Sequence, residues 1–324
     1  MAKQSLIIDC DPGVDDAIAL LLALASPDEF DLLGITTVAG NVPLALTQYN
    51  ARRITHLAQR PEVPVYGGCP RPLLRSPVTA EHVHGQTGLD GAVIPDPTHP
   101  LQPQHAVAFF IDQCRATQAP ITLATLGPLT NLAVALIQAP DIAQAIDRVV
   151  AMGGALGRGN VTPSAEFNIY ADPHAARVVV EAGLNLTLIP LDVTHQVITT
   201  PERLAALEEL GSPVGPAAAG WLRHYGQREG EGYGLAGAPL HDPCVIAYLM
   251  QPNLFSGRPM YLAIETDSPL CLGRTVADPH PADPTLANAT ILETADAPGF
   301  YALLTERLAH LPSVSSGERA SSGS

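Results

Sequence analysis

Short aliphatic and β-branched runs alternate with longer stretches of helical periodicity along nearly the whole chain, and each run ends at a loop. That alternation restricts the fold to βα units on a mostly parallel sheet, because segregated strands and helices would not interleave in this way. Strands are predicted at Leu6 to Ile8, Leu32 to Val38, Val63 to Tyr66, Ile121 to Leu126, Arg148 to Met152 and Leu186 to Pro190. The intervening helices are predicted at Ala17 to Ala25, Pro43 to Gln59, Gln104 to Ala116 and Asn131 to Gln138, with another starting near Asp172-Pro173. Further helices follow at Pro201 to Leu210, Gly215 to Arg228, from His241-Asp242-Pro243 and over Gly299 to His310. The expectation is an α/β fold with an open, mostly parallel central sheet flanked by helices. It forms one domain over residues 1–311, followed by a Ser-rich disordered tail at 312–324. Residues 67–101, dense in Gly and Pro, are expected to cover a site rather than build the sheet.

Charge narrows the partners. Seventeen basic against 32 acidic side chains leave a net charge of -15, which argues against the clustered Lys and Arg that displace counterions from nucleic acid. Anionic membrane surfaces are disfavoured for the same reason. No apolar run approaches the roughly 20 residues that cross a bilayer; Ala17 to Ala25 comes nearest and reads as a buried helix. The five cysteines, Cys10, Cys69, Cys114, Cys244 and Cys271, are scattered and odd in number, without metal or disulfide spacing. With no basic, cleavable leader at Met1 to Ser5, a cytoplasmic location is expected.

The chemistry is concentrated where the first strand meets the first helix. Asp9-Cys10-Asp11-Pro12-Gly13-Val14-Asp15-Asp16 places four acids within eight residues, at the strand end where open parallel sheets bind ligands. Helix capping accounts for one or two such acids. Four together repel one another unless a cation or shared protons offset the charge, and hard carboxylate oxygens favour Ca2+ or Mg2+ over Zn2+.

With Ala17, this segment resembles the N-terminal signature of the nucleoside hydrolases (nucleoside N-ribohydrolases, inosine-uridine preferring). The resemblance continues in order through Val38-Ala39-Gly40-Asn41, His82-Val83-His84-Gly85, Gly127-Pro128-Leu129-Thr130-Asn131 and Met152-Gly153-Gly154. It extends to Glu166-Phe167-Asn168-Ile169-Tyr170-Ala171-Asp172-Pro173 and Pro239-Leu240-His241-Asp242-Pro243, covering roughly residues 5–310. The resemblance implies a Rossmann-like sheet and hydrolysis of the N-glycosidic bond of ribonucleosides to base and ribose. It implies Ca2+ held by Asp11, Asp16, Asp242 and the main-chain carbonyl of Leu126, with Asp11 as general base toward a water that the metal acidifies. Asp15, Asn41, Asn160, Glu166 and Asn168 match positions around the ribose, and His241 matches the acid that protonates the leaving base. His82, Phe167 and Tyr233 are the candidates around the nucleobase. Tyr233 stands eight residues before His241, as in pyrimidine-preferring members, whereas the position twelve before it is Glu229 rather than an aromatic. That tilts the expected substrate toward uridine and cytidine, with broad inosine and uridine hydrolysis as the alternative. A homo-oligomer, tetramer or dimer, is also implied. His84 and His195 are read as packed or exposed rather than functional.

Two readings of other classes compete. Asp9-Cys10-Asp11 after a strand is similar to the aspartate pair of haloacid-dehalogenase-like, Mg2+-dependent phosphatases, but two further acids follow and no matching Lys motif faces a phosphate. A non-catalytic nucleoside-binding protein would not need Asp11, Asp16, Asp242 and His241 together.

Overall fold

The computed structural model describes residues 3–117, 119–229 and 237–312. Strands β1 (Gln4–Cys10), β2 (Phe30–Thr37), β3 (Val65–Gly67), β4 (Ile121–Thr125), β5 (Ile146–Met152) and β6 (Leu186–Ile189) all run parallel. A two-stranded antiparallel ribbon, β7 (Ile198–Thr199) with β8 (Ala238–Pro239), stands apart from the sheet. Strands β9 (Phe255–Ile264), β10 (Thr275–Asp278) and β11 (Ala289–Ala295) complete a nine-stranded sheet of order β10-β9-β11-β6-β5-β4-β1-β2-β3. Only β9 runs against its neighbours β11 and β10, while β11 lies parallel to β6.

The helices are α1 (Val14–Leu24), α2 (Leu44–Leu57), α3 (Glu81–His84), α4 (Ala106–Ala116), α5 (Thr130–Gln138) and α6 (Phe167–Ala171). They continue as α7 (Pro173–Glu181), α8 (Leu191–Thr194), α9 (Pro201–Glu208), α10 (Val214–Glu229), α11 (Pro243–Met250) and α12 (Ala297–Ala309). They divide between the two faces of the sheet, and β1 shows how. Its Leu6, Ile8 and Cys10 join the core containing Leu21 of α1, Trp221 of α10, Val245 of α11 and Leu304 of α12. The intervening Ile7 points the other way, into the core of Phe109 (α4), Leu132 (α5) and Val179 (α7). A strand buried on both faces must be apolar at successive positions, which is why β1 reads as a continuous run rather than an alternation. Each such aliphatic side chain stabilises the fold by roughly 1.5 to 3 kcal/mol.

Two sequence expectations shift. Helix α1 begins at Val14, three residues before Ala17, because the Asp16 carboxylate accepts the Gly13 N–H at 2.9 Å and closes the first turn from inside the helix. The loop-rich stretch is not wholly loop: it carries α3, whose Val83 and His84 N–H groups bond back to the Ala80 carbonyl. Beyond Pro312 the predicted tail lies outside the described residues. Among the described residues no helix is long and apolar enough to cross a membrane.

Candidate active site

The chain leaves β1 toward β2 on one side, and β4 later fills the other, so the sheet order reverses at β1. A crevice opens outside the carboxyl ends of strands at such a point. Asp11 follows β1, Asn41 follows β2, Leu126 follows β4, and Met152 ends β5. Residues distant in sequence therefore meet at one edge.

Asp11 is fully buried there. Its Oδ2 accepts the Asn41 N–H at 2.7 Å, whereas Oδ1 has no hydrogen-bond partner among the described residues. Both oxygens are wedged against backbone: a Cβ on Gly40 would overlap Oδ2, and one on Gly127 would overlap Oδ1. Those two glycines are needed for the close approach, which explains their place in the motifs. Asp16 accepts the N–H groups of Asp11 (3.1 Å) and Gly13 (2.9 Å) and the Asn41 side-chain amide (3.1 Å). It thus caps α1 and faces the other acids at once. One carboxylate oxygen each from Asp15, Asp16 and Asp242 lies within 4.8 Å of the others, all three residues buried. The carboxylates grouped here include Asp15 rather than Asp11, whose Oδ1 packs against Gly127 and whose Oδ2 packs against Gly40. Buried hard oxygens in this number, one of them orphaned, fit a divalent cation.

A cavity of about 260 Å³ opens above the acids, lined by Asp15, Asn41, His82, Leu126, Asn160, Glu166, Phe167, Asn168, His241 and Asp242. Ten sequence-predicted residues thus share one wall, with Asp11 and Asp16 buried just behind it; Tyr233 lies outside the described residues. Several of the ten also hold backbone. Asn168 Nδ2 donates to the Leu126 carbonyl at 2.6 Å and to that of Met152 at 3.2 Å. Asn160 Oδ1 accepts the Phe167 N–H at 2.8 Å. Glu166 caps α6, accepting from the N–H groups of Asn168, Ile169 and Gly154. Asp9, by contrast, turns away from the cavity: its Oδ1 accepts from Thr36 Oγ1 (2.6 Å) and Asn131 Nδ2 (2.8 Å), tying β1 to β2 and α5. Its position in the acidic run reflects strand packing, because Asp9 shares the β1 face of Ile7 rather than of Cys10.

Burial governs the titration. It pushes Asp11 and Asp242 well above the usual carboxylate range, with neighbouring acids adding to the effect, and it raises Asp16. Burial also raises Asp9 from 3.8 and Glu166 from 4.5 to about 7 each. It depresses His241, reinforced by His195 and His84, and lowers His84 to about 3, which favours the neutral form of both rings. Carboxyls with raised folded values bind more protons in the folded than in the unfolded state between their ordinary values and about 7. Stability therefore falls as pH rises through that window, by about 1.4 kcal/mol per pH unit for each extra proton held. Thermal melting of chelator-treated protein is expected to show Tm dropping from pH 4.5 to pH 7.5; a rising Tm would contradict this electrostatic picture.

A sequence profile of the inosine-uridine preferring nucleoside hydrolases matches residues 6–302. The chain belongs to this family. It is an enzyme, an N-glycosidase that hydrolyses ribonucleosides. An uncharacterised protein of Schizosaccharomyces pombe is 49% identical over 95% of this chain and 100% of its own length. The pyrimidine-specific ribonucleoside hydrolase RihA of Shewanella woodyi is 44% identical, covering 94% of this chain and 98% of its own. Among solved structures, the purine-preferring ribonucleoside hydrolase of Gardnerella vaginalis superposes with a TM-score of 0.89 at 32% identity, covering 95% of this chain and 99% of that one.

The cavity is also lined by residues that sequence reading did not place in the site. His84, read as packed or exposed, is packed at the cavity wall, where its Nδ1 accepts the Val14 N–H at 3.1 Å and its ring centroid lies 5.4 Å from that of Tyr225. Tyr225 and Arg228 of α10 line the cavity as well, and Arg228 donates to the carbonyls of Glu81 and His82 at 3.4 Å. Their spacing of three residues is the available signal, since it places both on one helix face. Arg158, between glycines, offers no such pattern yet lines the same wall. Family membership removes the phosphatase and non-catalytic readings, although two arginines do face the cavity.

Proposed function

We propose that this nucleoside hydrolase cleaves pyrimidine ribonucleosides, uridine and cytidine ahead of inosine, with Ca2+ held by Asp11, Asp16, Asp242 and the Leu126 carbonyl. One juxtaposition carries the reading: a buried Asp11 oxygen, without a partner among the described residues, behind a cavity that is floored by acids and walled by amides. A divalent cation bound there supplies charge that offsets the acids and makes a neighbouring water more acidic. Asp11 takes the proton of the attacking water on Oδ1 as general base, while the Asn41 N–H steadies Oδ2. Asp15, Asn41, Asn160, Glu166 and Asn168 hydrogen-bond the ribose. The buried carboxylates favour positive charge developing on the sugar as the glycosidic bond breaks. His241 meets the departing base beside His82 and Phe167, with Tyr233 as the third candidate base contact.

The pyrimidine preference is supported by the 44% identity to a pyrimidine-specific hydrolase and by Tyr233 at its distance from His241. A cytoplasmic, homo-oligomeric protein, tetramer or dimer, completes the reading, supported by the scattered cysteines and the family resemblance. Free ribose released from uridine, cytidine and inosine provides the test. Uridine and cytidine are expected to react faster than inosine, with all turnover lost to a chelator and restored by Ca2+. Equal rates would favour the broad inosine and uridine hydrolase, and indifference to chelation would remove the metal.

A further inference from the structure

We propose that Thr194 is a positioning residue for His241, locking the imidazole so that a hydrogen-bearing Nε2 faces the departing base. The proposal rests on the role given to His241 above. Thr194 ends α8, just beyond β6, and is fully buried and absent from the cavity wall, so it acts only through what it touches. Its Oγ1 lies 2.7 Å from His241 Nδ1, across a sequence separation of 47 residues. The other acceptor within reach of the hydroxyl, the Leu191 carbonyl, is 3.4 Å away, at the margin of hydrogen bonding. A hydroxyl has one hydrogen to give, and in the proposed arrangement it goes to Nδ1, the nearer of the two acceptors.

A neutral imidazole that accepts at Nδ1 carries its own hydrogen on Nε2. His241 lines the cavity, and its Nε2 is buried with no hydrogen-bond partner among the described residues. Leaving a donor unsatisfied costs stability; here it reserves the donor for substrate. A ring flip would put carbon against the Thr194 hydroxyl and forfeit the bond, so orientation and tautomer are set together. When the C1′–N bond of uridine breaks, the electron pair leaves with the uracil, and the Nε2–H donates a hydrogen bond to the negative charge building there. A 4-nitrophenolate leaving group spreads that charge over its own ring and has no need of the donor.

The experiment compares kcat and KM of the wild type, Thr194→Val, Thr194→Ser and His241→Ala on uridine and on 4-nitrophenyl β-D-ribofuranoside. Thr194→Val is expected to lower kcat for uridine about tenfold, the factor one hydrogen bond of ordinary net strength is worth. KM, and turnover of the nitrophenyl riboside, should change less than about twofold. Thr194→Ser, which keeps the hydroxyl, should restore uridine turnover. Equal losses on both substrates in Thr194→Val mean a structural role and overturn the proposal. If His241→Ala depresses uridine selectively while Thr194→Val does not, the positioning role fails and the His241 reading stands. If His241→Ala leaves the ratio of the two substrates unchanged, the His241 reading itself fails and takes the proposal with it.

Discussion

Replacing Asp11 with Ala is expected to lower kcat for uridine by about 10² to 10⁴, the usual contribution of a general base. The expectation comes from the two unlike oxygens of this carboxylate. Oδ2 is held by the Asn41 N–H at 2.7 Å, while Oδ1 is buried and has no partner among the described residues. A structural aspartate spends its buried oxygen on the fold, as Asp9 shows by accepting from both Thr36 and Asn131 on Oδ1. Burying an unpaired carboxylate oxygen beside Asp15, Asp16 and Asp242 is costly, and nothing in the packing is gained by it. The variant lacks one of four mutually repelling groups, so in chelator it should melt no lower than the wild type at pH 7.5. Steady-state kinetics together with thermal melting separate loss of chemistry from loss of fold. A folded variant with near-normal turnover would falsify the assignment of Asp11 as base.

The second large effect concerns the sugar. 2′-Deoxyuridine is expected to react with kcat/KM lower than uridine by about 10⁴, the discrimination reached by sites built to hydrogen-bond a hydroxyl. Asp15, Asn41, Glu166, Asn168 and Asp242 are buried yet line the cavity, and the half-buried Asn160 lies beside them. Removing the 2′-hydroxyl leaves a buried acceptor unpaired in the bound state, and that cost rises further as charge develops on the ribose. Matching kcat/KM values for the two nucleosides would mean that the polar wall holds protein backbone, not sugar. The double use of Asn168 and Glu166, which already bond main-chain groups, makes the comparison decisive for those residues.

The parallel sheet was legible because β1 to β6 are apolar runs closed by loops. Helix α3 was not legible, since its four residues are too few to show a period. In the site, the acids after β1 and the Asn, Glu and His motifs were visible as local patterns. Tyr225 and Arg228 were hidden in a helix that reads equally well as plain core.

The sequence by itself determined the fold class, the acidic strand end, the glycines at Gly40 and Gly127, and the family. The first three follow from periodicity, charge and turn chemistry acting over a few residues, and the family from the resemblance of motifs along the chain. Only the tertiary structure decided that Asp9 is a tether, that Asp16 is both cap and site acid, and that one Asp11 oxygen has no hydrogen-bond partner among the described residues. It alone paired Thr194 with His241. Such distinctions depend on which way a side chain turns at a strand end, and that is set by strand register and by neighbours far away in the chain, which no local pattern records.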